Sequence, residues 1–282
     1  MLIAMIITGG VAALAAQIAL GQLRHFQGIG ALVGLRAQIG HSAAIAARAL
    51  WSVSPAAGDI IVALDSAIEF HSAIGSAVVC DGTPGSITIP RPTPEDGNTL
   101  SAFWDAPASG DRVHTLFNDS LGAGWLTLHV AAPPIPGPAC VAFSQTDASW
   151  LIMLREPIAI PRGAPTRFTR AARLSVYRAS NNLWYLGATE WNGTLERFNT
   201  IQPVAGPLRP YSHDASQTGL VFRYRGADGA FIPPPADPAL LASITVTSRA
   251  ETEGTKRTSG FATSDGRYVD SISVAVALRN VP

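Results

Sequence analysis

From Met1 to Leu23 the chain reads MLIAMIITGGVAALAAQIALGQL, with no charged side chain and with its apolar character broken only by Thr8, Gln17, Gln22 and small glycines. At 1.5 Å per residue such a run gives about 35 Å of helix, enough for a hydrocarbon core of about 30 Å, so it predicts a transmembrane helix over residues 1–23. Beyond it, Leu32, Leu35, Ile39, Ala43, Ala46 and Leu50 recur three or four positions apart, while Arg36, Gln38, His41 and Arg48 fall elsewhere. That period predicts an amphipathic continuation over residues 24–54, with its apolar stripe laid on the domain that follows. The helix should end near Trp51, because Pro55 cannot continue it.

After Pro55 the period changes to short runs bounded by Gly, Pro, Asp or Asn, the signature of strands. The candidates are residues 59–64, 67–71, 77–80, 86–90, 125–130, 150–155, 173–179, 183–189, 219–224, 243–248 and 271–279, with Asn181-Asn182 as a tight hairpin turn. The Pro-rich connections Pro133–Pro138 and Pro233–Pro238 carry no secondary-structure period and predict surface loops or extended edges. The fold class expected is therefore α+β: a long N-terminal transmembrane/amphipathic helix packed on a mainly antiparallel β-domain, with residues 55–282 forming an extracytoplasmic β-rich unit.

Small residues at Gly9, Ala12, Ala13, Ala16, Gly30 and Gly34 give several small-xxx-small spacings, which let helix backbones approach closely. They are the candidate helix-packing positions, although Ala and Gly are also simply common here. A cleavable signal peptide competes with the anchor, since Ala13-Leu14-Ala15 fits a small-residue cleavage site; no basic segment precedes it, and the apolar run continues past it. Arg24 and Arg36 after the span would by charge bias favour a cytoplasmic C-terminal side, against an exported domain.

Composition narrows the class: 47% of residues are apolar and 14% charged, with 26 Gly and 21 Pro, which describes a packed, loop-rich protein and not a disordered tail. The 20 basic and 20 acidic side chains cancel, so a basic nucleic-acid groove is unsupported. Cys80 and Cys140 lie too far apart for a C-x-x-C site. In an exported domain they would pair and close a long loop; otherwise they are two unpaired buried thiols.

Chemistry is sparse. No nucleophile elbow, H-E-x-x-H, Walker A loop or dinucleotide fingerprint occurs, and Gly28-Ile29-Gly30 lies inside the helix. His25, His41, His71, His114, His129 and His213 never fall at metal-ligand spacing. Asp105, Asp111, Asp119, Glu190 and Glu196 could pair only through folding, and Glu95-Asp96-Gly97-Asn98 reads as an acidic turn more readily than as a cation loop. No catalytic, cofactor-binding or metal-binding residue is assigned. Trp51, Trp104, Trp125, Trp150, Trp184 and Trp191 could fill the core or, where exposed, anchor an interface.

This organisation resembles the type IV pilin and type II secretion pseudopilin superfamily, in particular its larger J-type pseudopilins and W-type minor pilins. The stretches that carry the resemblance are MLIAMIITGG, LRHFQGIGALVGLRAQI, DSAIEFHSAIGSAVVC, the hairpin RLSVYRASNNLWYLGATEW and the terminal SISVAVALRN. The family's basic leader, its peptidase site and its G-F-T-L-x-E motif would lie before Met1. Either the start codon is misplaced, or this copy has lost processing and the assembly glutamate.

The resemblance implies a non-enzymatic structural subunit, single-pass in a bacterial inner membrane with a periplasmic C-terminal domain. It would contact other membrane-protein subunits and the lipid bilayer, with no cofactor and no nucleic acid. The alternative is a repurposed scaffold subunit of a larger respiratory or photosynthetic membrane complex. A membrane-tethered hydrolase or sugar-binding module is a third class, which tryptophans gathered with two carboxylates in one cleft would favour.

Overall fold

The computed structural model describes residues 2–92, 100–119, 122–140, 148–252 and 267–279. Among the described residues, one α-helix α1 (Leu2–Leu50) is followed by a 3-10 turn (Pro55–Ala57), seventeen strands and a second 3-10 turn (Pro238–Leu240) between the fifteenth and sixteenth of them. The strands are β1 (Ile60–Ala63), β2 (Ala67–Val78), β3 (Asp81–Thr83), β4 (Ser86–Pro90), β5 (Ser101–Phe103), β6 (Arg112–Asp119), β7 (Gly122–His129), β8 (Ile135–Pro136) and β9 (Ser149–Met153). They continue with β10 (Pro165–Arg178), β11 (Trp184–Asn192), β12 (Arg197–Phe198), β13 (Gln202–Leu208), β14 (Leu220–Arg225), β15 (Phe231–Ile232), β16 (Ser243–Glu251) and β17 (Val269–Ala277).

The framework is the long antiparallel pair β2/β10, which runs from Pro165 opposite Val78 to Ser175 opposite Ala67 with one register shift between Phe168 and Thr169. At one end β1 and β11 flank the pair; at the other, β5 lies on β2 and β6 on β10, with β7 paired to β6. The β10–β11 hairpin turns where expected, with Asn182 at φ 64°, a left-handed position that asparagine accepts at low cost. A second sheet runs β15-β14-β16-β17 and a third β3-β4-β9-β8, so part of the Pro133–Pro138 segment serves as an edge strand. An edge is where a strand proline does least harm, because its missing N–H costs no central ladder bond.

The helix packs only where its apolar stripe is confined to one face. Leu35, Ile39, Ala43, Ala46 and Leu50 are buried against β13, β16 and β17, in a core completed by Phe70, Phe222, Tyr224 and Val246. Ser42 and Ser248 hydroxyls hydrogen-bond at 3.0 Å within this interface, and Arg36 donates to Asp270 at 2.8 Å on its rim. Beyond Leu50 the chain turns, with the Val53 N–H returning to the Leu50 carbonyl, and Pro55 opens the 3-10 turn. A separate apolar cluster around Ile74, Ile89, Val113, Leu128, Ile152 and Phe168 fills the other end of the large sheet. There Phe103 lies on the bare backbone of Gly75, where even a Cβ would come within 2.1 Å of the ring.

These observations correct the expected fold class and localisation. Strands make up 45% of the described residues. They form three sheets where one helix-covered sheet was expected. Among the described residues, no helix is long and apolar enough to cross a membrane. The uncharged run from Ile3 to Leu23 is diluted by Gly9, Gly10, Gln17, Gly21 and Gln22, and the side chains at positions 2, 4–6 and 8 lie outside the described residues. The transmembrane helix over 1–23, and with it the single-pass inner-membrane placement with a periplasmic domain, accordingly loses its basis. The strand content exceeds the expected set because β2 is one continuous strand through residues read as two, β10 begins eight residues early, and β5, β6 and β13 had not been anticipated. Pairing with a long neighbour extends each of them beyond what local pattern supports.

Candidate functional site

The first feature without a partner inside the chain is the N-terminal part of α1. Ile3, Ile7, Val11, Leu14, Ile18, Leu20, Leu23, Phe26, Ile29 and Val33 are all exposed, with Ile3 at 75% and Phe26 at 68% of their full accessibility. Gly9, Gly30 and Gly34 have open space where a Cβ would stand, and Ala12, Ala13 and Ala16 are exposed. Among the described residues, the candidate packing positions are thus left uncovered.

The second feature is a cleft of about 510 Å³ at the junction of the helix exit and the large sheet, lined by Ser54, Ala56, Ala57, His114, Trp125, Thr127 and Arg167. Its foundation is Asp59, a fully buried carboxylate just before β1. One oxygen accepts from the Ser54 backbone N–H at 2.8 Å and from Arg167 Nη1 at 2.9 Å, while Arg167 Nη2 donates to the Ser52 carbonyl at 2.8 Å. This knot fixes the loop between α1 and β1 against β10.

His114 on β6 stands beside it, with Nδ1 3.2 Å from the Thr127 hydroxyl and Nε2 3.5 Å from that of Thr169. Asp59 Oδ1 lies 3.8 Å from His114 Nε2 and has no hydrogen-bond partner. Burial pushes the His114 imidazole down, Asp59 opposes this, and Arg167 and Arg112 reinforce it, so the ring is neutral near pH 7.

His71 on β2 is buried with neither ring nitrogen hydrogen-bonded. Burial first, then the positive Arg112 and the neighbouring His114, His129 and Arg167, push its pKa down to about 3 from 6.5. A group with a depressed folded-state pKa favours protonation in the unfolded chain. Its contribution is therefore complete above pH 6.5 and is lost as pH falls towards 3. Urea midpoints measured across that window should fall with pH, and a His71→Leu variant should show a flatter profile.

The structure gathers Asp105, Asp111 and Glu190 around one guanidinium. Arg170 makes a bidentate pair with Asp111 at 3.0 and 2.9 Å, a close contact with Asp105 and a 3.7 Å approach to Glu190. Burial works against the charge on Arg170, but Asp111 and then Asp105 hold it protonated more firmly than an ordinary guanidinium. Committed in this way, these carboxylates form an ion knot and not an acid/base pair, even with Trp191 nearby against Gly110. Glu196 sits in an exposed turn at φ 48°. The Asp119 side chain and the Glu95-to-Asn98 turn lie outside the described residues.

Of the other histidines, His129 pairs with Glu156 at 2.7 Å, and those bonds hold the Glu156 carboxyl below its usual range against the opposing effect of burial. Among the described residues no group of three His, Cys, Asp or Glu side chains could hold a metal ion. Cys80 and Cys140 form a disulfide, with Cα atoms 5.7 Å apart.

Trp150, Trp184 and Trp191 are half-buried, while Trp51, Trp104 and Trp125 are exposed. Trp51 carries the Arg279 guanidinium over its ring, and Trp104 donates its indole N–H to the Ala73 carbonyl at 2.9 Å. Trp125 lines the cleft.

As site residues, Ser54, Asp59, Thr127 and Arg167 were not anticipated from the sequence, and His114 was counted only among six histidines that never fall at metal-ligand spacing. The available signal was the alternation of Arg112, His114 and Leu116 with Val113 and Thr115, which marks a strand. No protein-family model, curated protein or solved structure matches this chain, so no family is identified for it, the pilins and pseudopilins included.

Proposed function

We propose that this chain is a non-enzymatic structural subunit of a pilin-like assembly, in which the N-terminal part of α1 packs against the equivalent helices of neighbouring subunits and the β-domain makes the outer contacts. The observation that carries the reading is the series of exposed apolar side chains that recurs along α1 from Ile3 to Val33. It extends for about 45 Å at 1.5 Å per residue. Apolar surface on that scale is costly in water, at about 25 cal/mol per Å², and a partner helix would remove the cost. The small residues Gly9, Ala12, Ala13, Ala16, Gly30 and Gly34 support close backbone approach along the same stretch. Resemblance to the pilin superfamily in the order of its parts supports the same reading.

Sedimentation of the full chain over a range of concentrations tests it. The wild type should sediment as a multi-subunit species, and the double substitution Ile18→Glu and Phe26→Glu should release monomer with the β-domain's circular dichroism unchanged. A wild-type chain that remains monomeric throughout, or that binds phosphatidylcholine vesicles only as a monomer, overturns the proposal.

A further inference from the structure

The cleft beside Asp59 has properties that the assembly role does not require. Ser54 is 3% exposed, its hydroxyl has no hydrogen-bond partner, and it lines the cavity. It does not cap the 3-10 turn that it precedes. Leaving such a hydroxyl unsatisfied costs about 1–3 kcal/mol, while the backbone of the same residue is held by Asp59, which accepts from its N–H at 2.8 Å. Opposite stands Trp125, 68% exposed on β7, although a large aromatic ring is normally placed where its face is covered. The lining also holds the hydroxyl of Thr127, the imidazole of His114 and the guanidinium of Arg167, two of whose five N–H donors go to Asp59 and Ser52 among the described residues.

Charge selects among ligands for this cavity. Two guanidiniums, Arg167 and Arg112, face the single buried carboxylate of Asp59; Arg112 reaches the same turn, 3.4 Å from the Gly58 carbonyl. With His71 and His114 neutral, Arg167 is the charged side chain among the described residues that line the cleft. The volume, about 510 Å³, falls in the range of small-molecule sites.

An open aromatic face, several hydroxyl and N–H groups, and the Arg167 guanidinium together suit a ring with an apolar C–H face, hydroxyls and one carboxylate. We propose that the cleft binds an acidic monosaccharide unit, with its C–H face on Trp125, its carboxylate on Arg167 and one of its hydroxyls on the exposed Thr127 hydroxyl. The site holds the sugar without reaction: the Asp105, Asp111 and Glu190 carboxylates are gathered around Arg170.

Saturation-transfer NMR on the full chain, with D-glucuronate and D-glucose as probes, tests the assignment. Glucuronate should bind in the millimolar range and glucose at least tenfold more weakly. Trp125→Ala should reduce glucuronate binding at least tenfold. Thr127→Val should weaken it severalfold, whereas Thr127→Ser, which keeps the hydroxyl, should bind as the wild type does; a merely structural threonine would leave binding alone in both variants. Equal binding of the two sugars, no binding of glucuronate at tens of millimolar, or binding unaffected by Trp125→Ala overturns the proposal.

Discussion

Replacing Asp111 by alanine should lower the unfolding free energy by about 3–5 kcal/mol, the usual cost of stranding one member of a buried ion pair. Arg170, only 9% exposed, donates through two of its nitrogens to the two Asp111 oxygens, and Asp111 also accepts from the Ala108 backbone N–H at 2.7 Å. Without Asp111, the guanidinium keeps the half-exposed Asp105 and the Ala106 carbonyl as its near partners, while the Ala108 N–H loses its acceptor. Urea denaturation followed by far-ultraviolet circular dichroism gives the loss directly. The double variant Asp111→Ala with Arg170→Met should be more stable than Asp111→Ala alone, because removing both charges removes the stranded one. If the single substitution costs less than about 1 kcal/mol, the knot behaves as a surface pair.

Reduction of the Cys80–Cys140 disulfide is the second large effect. The bridge spans a sequence separation of 60 residues. Closing a loop of that size restricts the unfolded chain by about 4 kcal/mol on chain-entropy grounds. Both sulfurs are buried, and the Cys80 N–H is tied to the Thr88 carbonyl at 2.8 Å, so the native backbone around the bridge is held independently of it. Denaturant midpoints with and without a reductant that penetrates the fold should therefore separate strongly, and the Cys80→Ala, Cys140→Ala double variant should match the reduced protein. An unchanged midpoint would place the restraint in residual structure of the unfolded chain.

Local pattern reached some parts of this protein and not others. The stripe Leu35, Ile39, Ala43, Ala46 and Leu50 was legible because helical periodicity is set by positions three and four apart, and those residues are the ones buried on the sheets. The turn at Asn181-Asn182 was legible for the same reason: its chemistry is complete within four residues. By contrast, uncharged composition between Met1 and Leu23 invited a membrane span, and run length alone does not distinguish a helix covered by lipid from one covered by other helices.

Strands β5, β6 and β13 owe their existence to long neighbours. β6 pairs with residues 166–169, some fifty positions further along the chain, and no window of sequence contains both partners. The cleft had the same difficulty in stronger form. Ser54 and Asp59 come from the link after the helix, His114 and Trp125 from the β6–β7 hairpin, and Arg167 from β10, so they become neighbours only when the sheet registers are fixed.

By itself, the sequence determined the continuous N-terminal helix with its buried C-terminal stripe, the β-rich remainder and the hairpin turn, since these depend on periodicity and short-range backbone preference. Tertiary structure alone decided the division into three sheets, the gathering of Asp105, Asp111 and Glu190 around Arg170, and the placement of Asp59 beneath a cleft rimmed by Trp125. Those outcomes depend on long-range strand register, which brings side chains distant in sequence within hydrogen-bonding distance and takes their charges out of water.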